Sequence, residues 1–270
     1  MHSIPPRRPR ARARLAVQIT DRDRQLLAFV AENPFVLATQ VAMLLELTDA
    51  AADARLRALD RGGYVVREHA LYAQPTTARI TREGLRAIGS DLPAARPLNL
   101  GAYHHELGVG WLQVAARRGR FGPLQAVVSE RRMRSDDGRP AEGRQRHGVR
   151  LGGVGPRGRD RLHYPDLVLL TDTGHRIAFE LELTSKARPR REGILAGYAA
   201  DPRIDMVIYL VDRPATGRAI TQSAERLGMS HLVRVQNVSR ASPPTSRGSR
   251  TAGRHVPHQP TRRRAEETVR

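Results

Sequence analysis

The chain has no cysteine among its 270 residues. Disulfides and thiolate metal sites are therefore excluded, and a reducing, cytoplasmic compartment is compatible with the composition. Aromatic residues are only 4%, so a core must be built from Leu, Val, Ile and Ala. No apolar run reaches the length of a membrane span, which argues against a membrane protein. The basic N-terminus, MHSIPPRRPRARARLAVQ, has no apolar segment behind it and does not read as a signal peptide. Lysine is nearly absent too: of the 46 lysines and arginines, only Lys186 is a lysine.

What is abundant is positive charge. The formal net charge is +19, which favours a polyanionic partner such as DNA, RNA or an acidic membrane; an arginine excess set only by codon bias is the alternative. Three stretches are poor in apolar residues and read as disordered, because they cannot bury enough surface to offset the entropy of ordering. These are the basic arm at 1–17, a Gly- and Arg-rich insertion at 134–161, and a basic tail at 239–270. They leave two folded regions, 18–100 and 101–238.

The first region reads as three helices and a hairpin. Thr20 caps TDRDRQLLAFVAEN, with Asp23 three residues on, and LATQVAMLLEL follows as a short second helix. Thr48 caps TDAAADARLRALDRGG, which Gly62 and Gly63 stop. YVVREHALYAQ then reads as two strands around a tight turn, and TREGLRAIG as a closing helix. This is the order of a winged helix-turn-helix, whose third helix enters the DNA major groove while the hairpin lies on the backbone. Arg55, Arg57, Arg61 and Arg67 are the candidate DNA contacts; a solvated face used for protein contacts or dimerisation is the alternative.

AYHHELGVGWLQVAARRG is amphipathic, with Leu107, Trp111, Leu112 and Ala115 on one face. Its adjacent histidines, His104 and His105, point in different directions and lack HExxH spacing, so they read as packing or surface residues. Further on, PDLVLL reads as a buried strand, TDTGH as a turn, and RIAFELELT as an alternating strand. Pairing the two strands sets Asp166 across from Glu180 or Glu182. Three carboxylates converging on one face suit Mg²⁺ or Mn²⁺, which polarises phosphate oxygens and activates water; the alternative is an ordinary solvated strand face. If the chain stays extended, Lys186 continues the face of Glu180, Glu182 and Thr184. A lysine there can orient or deprotonate a water, which arginine does poorly.

Pro165-Asp166 followed by Glu180-Leu181-Glu182 and a nearby lysine resembles the PD-(D/E)XK nuclease core. In that core the Asp and the first Glu bind Mg²⁺, and a lysine normally follows as Glu-x-Lys; here Glu182 stands in the lysine position. The order of elements, with a helix over 189–200, a strand MVIYLV, a helix ATGRAITQSAERLG and HLVRVQNV, matches the αβββαβ order with one more helix and strand. Ser129-Glu130-Arg131, Pro165-Asp166, Glu180 to Thr184, Lys186, Arg190, Arg191 and Tyr198 together resemble the replication-relaxation family of plasmids and mobile elements. The resemblance implies an α+β fold and a role in replication, DNA relaxation or transfer. It adds Glu130 to the catalytic set of Asp166, Glu180, Glu182 and Lys186, and Arg190 and Arg191 to the DNA contacts. It also allows a homodimer and contacts with replication or transfer proteins. A DNA-binding regulator without enzymatic activity is the competing expectation.

Overall fold

The computed structural model describes residues 17–139, 145–155, 158 and 160–238. The expected arm up to residue 16 and the tail from residue 239 lie outside them. The fold is mixed α/β, as expected. No helix among the described residues is long and apolar enough to cross a membrane.

Helix α1 (Asp21–Glu32) starts where a capping box forms. The Asp23 amide donates to Thr20 Oγ1 at 3.3 Å and the Thr20 amide donates to Asp23 Oδ2 at 2.8 Å. Strand β1 (Val36–Leu37) and helices α2 (Ala38–Leu45) and α3 (Asp49–Arg61) follow. Thr48 caps α3 and Gly62 ends it, as the sequence predicts. Strands β2 (Val65–Glu68) and β3 (Thr77–Ile80) complete an antiparallel sheet in the order β1-β3-β2, and α4 (Arg82–Ala87) closes the unit. The expected second strand over ALYAQ is instead the loop between β2 and β3. The apolar alternation that pairs with β2 lies in TARI, whose Ala78 and Ile80 are buried. Leu26, Leu27, Phe29, Val30, Leu56 and Leu59 form the core, and each buried side chain of this size contributes about 1.5–3 kcal/mol.

Helix α5 (Tyr103–Arg117) packs on a second, five-stranded sheet. Its strands are β4 (Leu124–Ser129), β7 (Leu167–Thr171), β8 (Arg176–Glu182), β9 (Met206–Val211) and β10 (Val233–Asn237). The order is β10-β9-β8-β7-β4, with β4, β7 and β8 antiparallel and β8, β9 and β10 parallel. Both faces are covered. On one, Val109 and Leu112 of α5 meet Leu167, Phe179 and Leu181. On the other, α7 (Arg188–Ala199) and α8 (Pro214–Arg226) bring Leu195, Tyr198 and Ile220 against Ala178, Val207 and Tyr209. Double coverage explains the continuous apolar runs of β7 and β9. It also rules out the alternative of a solvated strand face on β8, where Ala178, Glu180 and Glu182 are all buried.

The expected buried face of α5 is rotated. Trp111 is 36% exposed, while Val109, Leu112, Gln113 and Ala116 are buried. Two glycines account for this. A Cβ on Gly108 would stand 2.4 Å from Leu181 Cδ2, and one on Gly110 2.6 Å from Gln40 Nε2. The helix is therefore pressed between α2 and β8 along its glycine side. Gln40 donates to the Leu107 carbonyl at 3.1 Å, and Asn33 donates to Gln113. Ser129 donates to Glu32, and Arg132 donates to Asp91 at 2.6 Å. A polar seam thus joins the two halves.

The segment 134–161 is not structureless throughout, contrary to the compositional expectation. Helix α6 (Glu130–Asp137) runs into it, and β5 (Val149–Val154) pairs with β6 (Asp160–His163). Residues 140–144, 156, 157 and 159 of this stretch lie outside the described residues. Three features order the hairpin. Val149 is fully buried beside Leu195 and Tyr198. Gly197 of α7 lets the strand approach so closely that a Cβ there would stand 2.8 Å from the Arg150 carbonyl oxygen. The Asp137 carboxylate also accepts the amides of His147 and Gly148 at 2.8 and 2.9 Å.

Candidate active site

Asp166 stands just before the Leu167–Phe179 pair of β7 and β8. Its amide donates to the Phe179 carbonyl at 3.1 Å, and its carboxylate Oδ2 accepts from the Leu181 amide at 2.7 Å. These two bonds bracket Glu180. Asp166, Glu180 and Glu182 are 8%, 3% and 4% exposed, so burial rather than solvent governs their chemistry.

Each carboxylate has a basic partner from the chain itself. His105 Nε2 of α5 lies 3.2 Å from Asp166 Oδ2. His163 Nε2 of β6 lies 2.6 Å from Glu180 Oε1, which also accepts from the Tyr198 hydroxyl at 2.5 Å. Lys186 pairs with Glu182 Oε2. Strand β8 stops at Glu182, so Lys186 does not continue the strand face as expected. The chain turns and brings the ammonium back to Glu182 from four residues on. Each of the three carboxylates is thus hydrogen-bonded by a side chain of the chain itself. Each uses one oxygen for these bonds. Among the described residues, Asp166 Oδ1 and Glu180 Oε2 accept no hydrogen bond, and Glu182 Oε1 is buried without a partner.

A second group lies on the α5 side of Asp166. Burial pulls the His105 imidazole down, but the Asp166 hydrogen bond and the charges of Asp166, Glu106 and Glu130 outweigh it and raise it to about 9. Burial, with Glu130 and Asp166 nearby, pushes Glu106 up to about 7. Burial also raises Glu130, and Arg134 pulls the other way through their ion pair. Glu130 therefore sits beside Asp166 electrostatically, at the start of α6, and is not bonded to Glu180 or Glu182. Burial and the Glu180 charge hold the Tyr198 phenol well above its ordinary value, so it acts as a donor.

The candidate DNA contacts are unequal. Arg55 is paired with the buried Asp23. Arg57 and Arg67 share Asp53. Arg61 is exposed, with no carboxylate partner among the described residues. Arg190 is exposed as well, whereas Arg191 donates to Ser223 Oγ at 2.9 Å and to the Lys186 carbonyl at 3.0 Å. Arg191 thus fixes the turn that carries Lys186.

Sequence reasoning reads His105 as a packing or surface residue, which its contact with Asp166 corrects, and passes over His163. His105 looks like half of an adjacent surface pair, and His163 lies at the end of a stretch dominated by glycine and arginine. The available signal is Val149 and Leu162, apolar residues of β5 and β6. No protein-family model matches the chain, and no curated protein matches it either.

Proposed function

We propose that this is a DNA-binding protein of the replication-relaxation type, acting in plasmid or mobile-element replication, relaxation or transfer by metal-dependent phosphodiester cleavage. The observation that carries the reading is the bracketing of Glu180 by the two bonds that the Asp166 amide and carboxylate make to the backbone of β8, with Glu182 and Lys186 next along the chain. The order α5, β4, β7, β8, α7, β9 supports a PD-(D/E)XK-like αβββαβ core, into which α6 and the β5–β6 hairpin are inserted between β4 and β7. The order α1, α2, α3, β2, β3 supports a winged helix. With Arg55, Arg57 and Arg67 in ion pairs, Arg61 is the arginine of the α3 region left to meet DNA.

Among the described residues no three His, Asp or Glu side chains are grouped so as to hold a metal ion by themselves. Mg²⁺ takes only one or two carboxylates and completes its octahedron with waters and phosphate oxygens. Asp166 with Glu180 or Glu182 fits that need, because each keeps one oxygen without a protein donor and Glu182 Oε1 is buried and unpartnered. Mg²⁺ or Mn²⁺ held there would polarise a phosphate oxygen and lower the pKa of a water. The chain's own residues orient this set: His105 holds Asp166, His163 and Tyr198 hold Glu180, and Lys186 neutralises Glu182.

A non-enzymatic accessory or regulatory role is favoured by one observation, that all three carboxylates already have protein partners. Supercoiled plasmid incubated with Mg²⁺ or Mn²⁺ separates the two readings. The nuclease reading expects nicked or linear product from the wild type and none from Glu180→Ala. Plasmid and circular single-stranded DNA that are both bound but left intact by the wild type refute cleavage and leave the accessory role.

A further inference from the structure

We propose that the cavity where the two halves meet admits a single nucleic-acid strand and leads it to Asp166, so that the substrate is an unpaired strand and not an intact duplex. This rests on the reading of the protein as a phosphodiester-cleaving DNA-binding protein. The cavity measures about 580 Å³ and reaches from the end of α1 and the linker before α5 to Asp166. That is the size of a pocket for a drug-sized molecule, hence for one or two nucleotides, and far too small for a double helix. Asp166, Glu180 and Glu182 are all more than nine-tenths buried. Of the three, Asp166 lines the cavity, and a nucleotide that has left the stack can reach it where a phosphate on the outside of a rigid duplex cannot.

The lining suits such a strand. Pro93, Pro97 and Val109 give an apolar wall against which a sugar or base can lie. Arg96 is exposed and has no carboxylate partner among the described residues. Arg131 gives Nη2 to the Pro93 carbonyl and likewise forms no ion pair among them. Two guanidiniums without an ion pair among the described residues, beside an apolar wall, offer positive charge to phosphate and a surface to a sugar or base. The inner end of the cavity is acidic, with Glu106 and Glu130 beside Asp166. A bare phosphate is repelled there, so strand entry needs the divalent cation of the proposed reaction.

The test is fluorescence anisotropy with a labelled 12-nucleotide single strand and its blunt duplex, over a salt series, with Ca²⁺ replacing Mg²⁺. Ala94→Trp fills the cavity and is expected to weaken single-strand binding at least tenfold. Arg96→Ala is expected to weaken it severalfold and to flatten the salt slope by about 0.7 for each phosphate no longer neutralised. Both variants should melt with the wild type; Arg96 is exposed, so its variant keeps the test decisive if the tryptophan disturbs folding. Single-strand affinities of Arg96→Ala, and of a folded Ala94→Trp, within twofold of wild type overturn the inference while duplex binding leaves the DNA reading standing. A wild type that binds neither probe overturns the DNA reading and this inference together.

Discussion

Replacing Tyr198 by Phe removes one oxygen and nothing else from a fully buried site. The lost hydroxyl is the donor to Glu180 Oε1 at 2.5 Å. The ring keeps its place against Leu195 and Val207, so no cavity term of consequence enters. A hydrogen bond to a charged acceptor contributes roughly 1.5–3 kcal/mol. His163 still holds the same oxygen, which prevents the full penalty of an unpaired buried carboxylate. The expected loss is therefore about 1.5–3 kcal/mol. At roughly 2–4 °C per kcal/mol for a chain of this size, the melting temperature should fall by about 3–12 °C. Urea unfolding of wild type, Tyr198→Phe, Glu180→Gln and the double variant gives the coupling energy directly. If Tyr198 and Glu180 act as one unit, the double variant loses less than the sum of the singles by at least about 1 kcal/mol. Additive losses, or a Tyr198→Phe loss below about 0.5 kcal/mol, refute the role of Tyr198 as a built donor for Glu180.

Gly197→Val sets a side chain against the Arg150 carbonyl, a backbone atom that cannot yield; the β5–β6 hairpin should undock, and trypsin should cut at Arg146 or Arg150 at least severalfold faster than in wild type. His105 is raised in the folded protein from 6.5 to about 9, so its stabilisation is complete below about pH 6.5 and lost as pH rises through 9. Without divalent ions, the urea midpoint should decline across that window, and His105→Gln should flatten the decline. Arg55→Ala strips the partner from buried Asp23 and should destabilise the fold by about 1–3 kcal/mol, read from the same urea curves. Arg61→Ala should leave the melting curve alone and reduce the salt slope of duplex binding by about 1, which anisotropy titrations would reveal.

The elements that can be read in the sequence are those specified locally. Thr20 with Asp23, and Thr48 with Gly62, mark helix ends by bonds that span three or four residues. MVIYLV announces a strand because both of its faces are buried. The position of β3 is not legible, because ALYAQ is the more apolar of the two stretches and only pairing with β2 and β1 selects TARI. Composition misjudges the β5–β6 hairpin because its order comes from Gly197, 47 residues after Arg150 in the chain. At the site, Asp166, Glu180 and Glu182 are legible from spacing. Their partners are not, since His105 and His163 lie 61 and 17 residues away from the groups they hold.

The two glycines of α5 have a consequence for how the molecule handles distance. A helix pressed on one side against α2 and on the other against β8 is a wall common to both halves. Proteins that join a reader to an effector through a linker act over a range of offsets, because the linker absorbs the slack. Here a change of offset must break the Gln40–Leu107 and Asn33–Gln113 bonds in a buried seam. On the proposed function, DNA held by the N-terminal half is therefore kept at one spacing and one rotation from Asp166. In that reading the molecule acts as a gauge, and moving its N-terminal half to another protein would require taking α5 along with it.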